Sequence, residues 1–140
     1  MIRQASGILS LSPSRQGLLD ISAAVADWLS AQAPAGDGLL TLFCRHTSAS
    51  LLIQENASPD AHRDLERWLA RLAPEADSYE HALEGPDDMP AHLRAAITAT
   101  QLSIPLIDGR LVLGAWQGIF LFEHRRNPPR RTLAAHYIGG

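Results

Sequence analysis

Residues 38–45 read GLLTLFCR, an almost unbroken apolar run of strand length between the Gly36-Asp37-Gly38 turn and the polar stretch His46-Thr47-Ser48-Ala49. A run apolar at both alternate sets of positions is expected at the centre of a sheet, with neighbours on either side. A second strand follows at residues 50–54. Upstream, Ile21, Ala24, Val25, Trp28 and Leu29 recur at i, i+3, i+4, i+7 and i+8, one face of a helix that Asp20 is placed to cap and Pro34 to stop. Before it, residues 3–12 alternate toward the Ser12-Pro13-Ser14 turn, and residues 17–19 form a short extended entry.

Downstream, Ser58-Pro59 opens a second helix, with Ser as cap and Pro in the first turn, and Leu65, Trp68, Leu69 and Leu72 make its apolar stripe. Residues 74–89 are irregular and acidic. A loop of that length in a compact chain is either functional or disordered. A short helix from about Pro90 to Ala99 is expected to bury Leu93, Ala96 and Ile97. Residues 102–106, the Asp108-Gly109 pair and residues 110–113 carry a hairpin signature. Residues 114–123 and 132–138 complete the strands. Because strands cluster instead of alternating with helices, and tight turns imply antiparallel pairing, the expected fold class is α+β in a single domain over residues 1–140.

Composition narrows function. The 46% hydrophobic and 19% charged residues exclude a solvated, disordered chain. No apolar run is long enough to span a bilayer and no signal peptide is visible, so no membrane partner and a cytoplasmic location are expected. Twelve basic residues, all Arg, against fifteen acidic ones give a net charge of -3. That leaves no overall basic field, so nucleic acid is not an expected partner. The lone Cys44 excludes an internal disulfide and any multi-Cys zinc site. Lying in an apolar strand, it reads as an inert core thiol.

Three histidines sit where a core would not choose them: His46 leaving a strand, His81 in the acidic loop, and His92 in the first turn of the short helix. Taken singly, each is more often a hydrogen-bonded surface residue. Together they are expected to converge on a first-row divalent ion, with Asp88, four residues before His92, on the same side of the first helical turn. His62, His124 and His136 read as a charged helix surface, a strand end and an ordinary terminal strand. Thr47 and Ser48 can cradle a phosphate or simply form a capped turn. Trp116 and Gln117, between Gly114 and Gly118, can stack and hydrogen-bond a flat heterocycle, or Trp116 can pack in a core or subunit interface. Glu55 and Asn56 add polar side chains at a strand exit. The many strand faces and edges make oligomerisation a reasonable expectation.

The stretches HTSASLLIQENASPDAHRDLERWL, YEHALEGPDDMPAHLRAAI and IPLIDGRLVLGAWQGIFLFEHR resemble the three signature stretches of the YjbQ family, whose members are named as secondary thiamine-phosphate synthases. The likeness runs over nearly the whole chain. It includes His46, Thr47, Ser48, Glu55, Asn56, His81, Asp88, His92, Trp116 and Gln117. The chain has Ala115 where the family usually has Thr, and Ser58 where it often has Asp. The resemblance implies two packed, mainly antiparallel sheets flanked by helices, and a homotrimer with its pocket near subunit boundaries. It also implies a reaction joining a hydroxymethylpyrimidine diphosphate to a thiazole phosphate, hence a small phosphorylated metabolite as partner. In that scheme His81, His92 and Asp88 hold a divalent ion, zinc or magnesium. His46 is a further ligand or acid/base group, and His46 and Asp88 carry the chemistry. Thr47, Ser48 and Arg110 contact phosphate, Trp116 and Gln117 hold the heterocycle, and Glu55 and Asn56 supply further polar contacts. The alternative from another class is a non-catalytic trimeric module binding a small anionic or metal-bound metabolite.

Overall fold

A computed structural model describes residues 1–76 and 78–140. Along the chain run β1 (Arg3–Leu11), β2 (Gly17–Asp20), α1 (Ser22–Ala31), β3 (Gly38–Cys44), β4 (Ala49–Glu55), α2 (Pro59–Leu72), α3 (Asp88–Ile97), β5 (Gln101–Ile107), β6 (Arg110–Leu111), β7 (Gln117–Glu123) and β8 (Arg131–Gly139). Residue 77, within the expected long loop, lies outside the described residues. One sheet has the order β1-β8-β3-β5-β6 and the other β2-β7-β4, and every pairing is antiparallel. The expected α+β class with two antiparallel sheets is therefore present. Among the described residues no helix is long and apolar enough to cross a membrane.

β3 is third of five, central as its apolar run predicts, yet only one of its faces is covered. Leu40, Leu42 and Cys44 point inward and are buried, while Leu39 and Phe43 lie on an open outer face. The strand buried on both faces is β7. Its Ile119 and Leu121 join the layer between the sheets, and its Phe120 and Phe122 lie beneath α2 with Leu18 and Leu69. Each fully buried side chain of this kind stabilises the fold by roughly 1.5–3 kcal/mol, so the inter-sheet layer, closed at one side by Val25 and Leu29 of α1, holds the two sheets together. Gly7 faces that layer because a Cβ there would come within 2.5 Å of Trp28 Nε1.

Local signals explain most boundaries. Ser58 Oγ accepts the Ala61 N–H at 3.2 Å and Pro59 occupies the first turn of α2. Asp108 and Gly109 both take positive φ, 50° and 77°, which fits the mirror-image two-residue turn of a β-hairpin. At the start of α1 the cap position falls to Ile21, and Asp20 instead accepts the Ser22 N–H at 2.9 Å.

Two helix faces differ from expectation. On α2 the Leu65–Leu69 ridge meets the narrow three-stranded sheet, and the neighbouring ridge of Trp68 and Leu72, turned about 100° around the axis, is exposed. The third helix starts earlier than Pro90 and is rotated, so that Ala91 and Arg94 are buried while Ala96 and Ile97 face outward. Its buried charge has a reason. Arg94 Nε and Nη2 both donate to the Ala73 carbonyl, at 3.2 and 2.9 Å, satisfying an acceptor at the end of α2.

At one end of the sandwich a buried ion pair joins the two sheets. Glu123 closes β7, Arg131 opens β8, and their relative exposures are 0% and 2%. Arg131 Nε donates to Glu123 Oε1 at 2.7 Å and Nη2 to Oε2 at 2.5 Å, while Nη2 also reaches the Ser48 carbonyl at 3.1 Å. Beside it, His124 bonds Ser50 Oγ at 2.9 Å. Burial, with Arg94 and Arg131 nearby, pushes the His124 pKa down to about 3, which keeps the ring neutral. Removing one member of the pair strands the other charge in a dry interior. Arg131→Met is therefore expected to lower stability by about 3–5 kcal/mol, read as a fall in the urea midpoint at constant m.

Candidate metal centre

α3 begins at Asp88, so Asp88 and His92 stand one turn apart on the same side of the helix. The acidic loop before it carries His81 back over that turn. His81 Nε2 lies 2.7 Å from Asp88 Oδ2, and His92 Nε2 lies 3.1 Å from the same oxygen. The ring centroids are 5.3 Å apart. One ligand atom from each of the three residues fits within a 4.8 Å span. Asp88 is buried, whereas the imidazoles are partly open to solvent, so the carboxylate forms the floor of the cluster and the rings its rim.

Hydrogen-bond polarity shows what this arrangement accepts. His92 Nδ1 lies 2.9 Å from the Thr47 carbonyl oxygen, an acceptor, so Nδ1 carries the hydrogen. With Nδ1 so engaged, Nε2 is the nitrogen that faces the Asp88 carboxylate oxygen. Two lone pairs facing each other are reconciled by a cation between them, either a proton or a metal ion. Two imidazole nitrogens and one carboxylate oxygen, with one ring oriented through a backbone carbonyl, are donors that fit a zinc-type ion.

The second carboxylate oxygen is occupied. Arg125 Nη1 donates to Asp88 Oδ1 at 2.7 Å, Nε to Asp87 Oδ2 at 3.0 Å, and Nη2 to the Glu84 carbonyl at 3.0 Å. Burial works to raise the Asp87 pKa, but the Arg125 guanidinium and the Arg126 N–H outweigh it and hold the carboxyl below the usual range. Sequence reasoning missed Arg125. The available signal was the acidic run Glu84 to Asp88 set against the consecutive pair Arg125-Arg126, whose second member pairs with Glu75.

His46 stands outside the cluster, a correction to its expected place among the ligands. Its Nε2 accepts the Thr132 N–H at 2.9 Å, which ties the ring to β8, and burial followed by Arg131 lowers its pKa. It lines a cavity of about 710 Å³ with Phe43, Arg45, Thr47, His92 and Ala96. A second cavity, of about 460 Å³, is lined by His81, Tyr79 and Met89 among others. Cys44 is buried as expected, and burial raises its thiol pKa.

The other expected contacts lie elsewhere in the chain. Glu55 pairs with Gln117 at one end of the β4–β7 ladder and Ala49 with Glu123 at the other, six residues apart. At about 3.3 Å per residue, Glu55, Asn56, Trp116 and Gln117 therefore sit roughly 20 Å from Thr47 and Ser48. There Glu55 Oε2 accepts the Ala57 and Ser58 N–H groups at 2.5 and 2.7 Å, which lowers its pKa and closes the turn into α2. Asn56 Nδ2 donates to the Ala115 and Gln117 carbonyls, and Gln117 Oε1 accepts the Gly114 N–H. Trp116 is 69% exposed. Arg110 lies at the β5–β6 hairpin beside α1, in a third hollow with Leu29 and Pro34. Within one chain it is therefore not joined to Thr47 and Ser48, because the length of β5 separates them.

Among the described residues, two antiparallel sheets with three helices and a His-Asp-His cluster bordering two cavities define a small α+β protein with a candidate cation site. The chain belongs to the YjbQ family: the model for UPF0047 protein YjbQ-like proteins matches residues 8–140. It is 55% identical to a UPF0047 protein of Synechocystis over 103 residues, 73% of this chain and 70% of that one. It is 42% identical to the YjbQ protein of Salmonella typhimurium, covering 90% of this chain and 92% of the relative. Among solved structures, a hypothetical protein of Aeropyrum pernix superposes with a TM-score of 0.88 at 30% identity, over 97% of this chain and 99% of that one. A YbjQ-like protein of Sulfolobus solfataricus matches at a TM-score of 0.90 over 100% of both chains, and its 23% identity speaks for the fold alone.

If the cluster binds a cation, His81→Ala and His92→Ala should each lower zinc content after dialysis against limiting zinc, and Asp88→Ala should reduce it most. Elemental analysis of the purified variants measures this, and wild-type stoichiometry in all three would exclude the centre.

Proposed function

We propose that this chain is a small cytoplasmic transferase of the thiamine-phosphate synthase type, with its chemistry at the His81, Asp88 and His92 cluster. The observation that supports this most is that the cluster borders two cavities. His92 lines the larger and His81 the smaller, at about 710 and 460 Å³. A hydrolase needs one substrate pocket and a water, whereas joining two precursors needs two places meeting at one centre.

In the proposed reaction a thiazole nitrogen attacks the methylene carbon of a hydroxymethylpyrimidine diphosphate. A C–N bond forms, the C–O bond breaks, and diphosphate leaves with the electron pair. A divalent cation at the centre would supply charge neutralisation for the departing diphosphate. The chain's own residues position the reactants. Asp88 and the two imidazoles hold the anion-facing centre, and Arg45 and Thr47 stand at the lip of the larger cavity, where a phosphate can be bound. His46, neutral with Nε2 already accepting a backbone N–H, can offer Nδ1–H to a substrate. Purified protein supplied with both precursors should show saturable formation of the coupled product, lost on chelation and restored by zinc or magnesium. Binding of either precursor without turnover would instead favour a non-catalytic metabolite-binding module.

The proposal extends to assembly as a homotrimer. The outward rows of β1, β8, β3 and β5 present Ile8, Phe43, Leu39, Ile138 and Ile107, with no Asp, Glu or Arg among these outward residues. An uncharged sheet face of this kind suits burial against another copy. Another copy could also bring Trp116, Gln117, Glu55, Asn56 or Arg110 toward the cavities from which they are separated within one chain. Sedimentation at micromolar concentration should give a trimer, and Ile8→Arg should dissociate it without changing the far-UV spectrum. A wild-type monomer would overturn this assembly.

A further inference from the structure

Arg125 lies outside the donor set of the candidate centre, yet it makes more directed contacts with the acidic loop than any other side chain described above. Its guanidinium faces three oxygens on two sequential carboxylates and one carbonyl: Asp87 Oδ2 at 3.0 Å, Asp88 Oδ1 at 2.7 Å and the Glu84 oxygen at 3.0 Å. Its own backbone is fixed as well, because the Arg125 N–H donates to Glu123 Oε2 at 3.0 Å, and Glu123 is held by Arg131. The result is a planar fork on a rigid stem, with the side chain only 23% exposed.

From this geometry we infer that Arg125 is a positioning residue that makes Asp88 a one-oxygen ligand, thereby setting both the affinity and the coordination number of the centre. The inference rests on the cation reading of the His81, Asp88 and His92 cluster. A free carboxylate can chelate an ion through both oxygens. Here Oδ1 is committed to Nη1, and Oδ2 is the oxygen approached by both imidazoles. With one carboxylate oxygen and two imidazole nitrogens, the centre offers three protein donors. That is the low-coordinate pattern of zinc or cobalt sites that keep an open position. An unrestrained Asp88 would supply a fourth donor and favour five- or six-coordinate binding. Arg125 also opposes the concentrated negative charge of Asp87 and Asp88, and the Arg125–Asp87 hydrogen bond raises its own pKa, so it remains a cation throughout.

Cobalt titration of the metal-free full-length protein separates these effects, because low-coordinate cobalt absorbs strongly in the visible and five- or six-coordinate cobalt weakly. Wild type should bind one cobalt with an intense band. Arg125→Gln should bind 10- to 100-fold more weakly, the usual consequence of losing an outer partner of a metal ligand, and its residual complex should show the weak band. Arg125→Lys keeps the charge but cannot reproduce the fork, so it should recover part of the affinity and leave the band weak. Thermal melts of the metal-free variants, run alongside, establish that the titrated protein is folded. The inference fails if folded Arg125→Gln binds with wild-type affinity and spectrum, or if affinity falls while the intense band is unchanged. If wild type takes up no cobalt, both this inference and the cation reading fail. If wild type binds and Arg125→Gln is indistinguishable from it, only the role of Arg125 is lost.

Discussion

The buried pairing of Glu123 with Arg131 is the constraint on which the working end of the molecule depends. Desolvating two charges is costly, and only a full set of partners offsets the cost. Both Glu123 oxygens are used by Arg131, and one also accepts the Arg125 N–H. From there the contacts run outward from Arg131 to Glu123, through the Arg125 N–H to its guanidinium, then to Asp88 and the two imidazoles. A second branch runs from Arg131 to the Ser48 carbonyl, in the turn where Thr47 orients His92. The two sheets and the acidic loop therefore meet at one electrostatic knot.

Strand geometry decides what the site can contain. Because β4 and β7 pair over their full length, the polar groups at their two ends are kept apart by a stiff ladder and cannot close on a common small molecule. The Glu55 and Asn56 end is largely self-satisfied, its carboxylate and amides holding the turns that enter α2 and β7. The Thr47 and Ser48 end meets the cluster instead. The chain in this way keeps the His81, Asp88 and His92 cluster at one end of the ladder and the exposed Trp116 indole at the other.

Much of the fold was legible because local rules and tertiary packing agree. The Ser58-Pro59 start, the Asp108-Gly109 turn and the central position of GLLTLFCR all follow from backbone preference and pattern. The rotation of α3 was not legible, since it is set by Arg94 reaching the Ala73 carbonyl, a contact 21 residues away that no periodicity encodes. Which face of β3 stays open was not legible for a related reason: an apolar outward row looks the same in sequence whether or not another element packs on it. At the site, His81, Asp88 and His92 were recoverable from residue type and spacing. His46 was misplaced because the bond from the Thr132 N–H depends on the register of β8. Arg125 escaped because its partners are some 40 residues away in sequence.

Cys44 gives the molecule a property separate from its chemistry. The thiol is 2% exposed, and its sulfur donates to the Ala49 carbonyl at 3.4 Å, across the bend where the chain leaves one sheet for the other. With so little of its surface exposed, the sulfur meets reagents in water chiefly when the structure around it opens. As the sole sulfhydryl, it is a built-in reporter whose modification rate counts openings of the native protein, without any label being engineered.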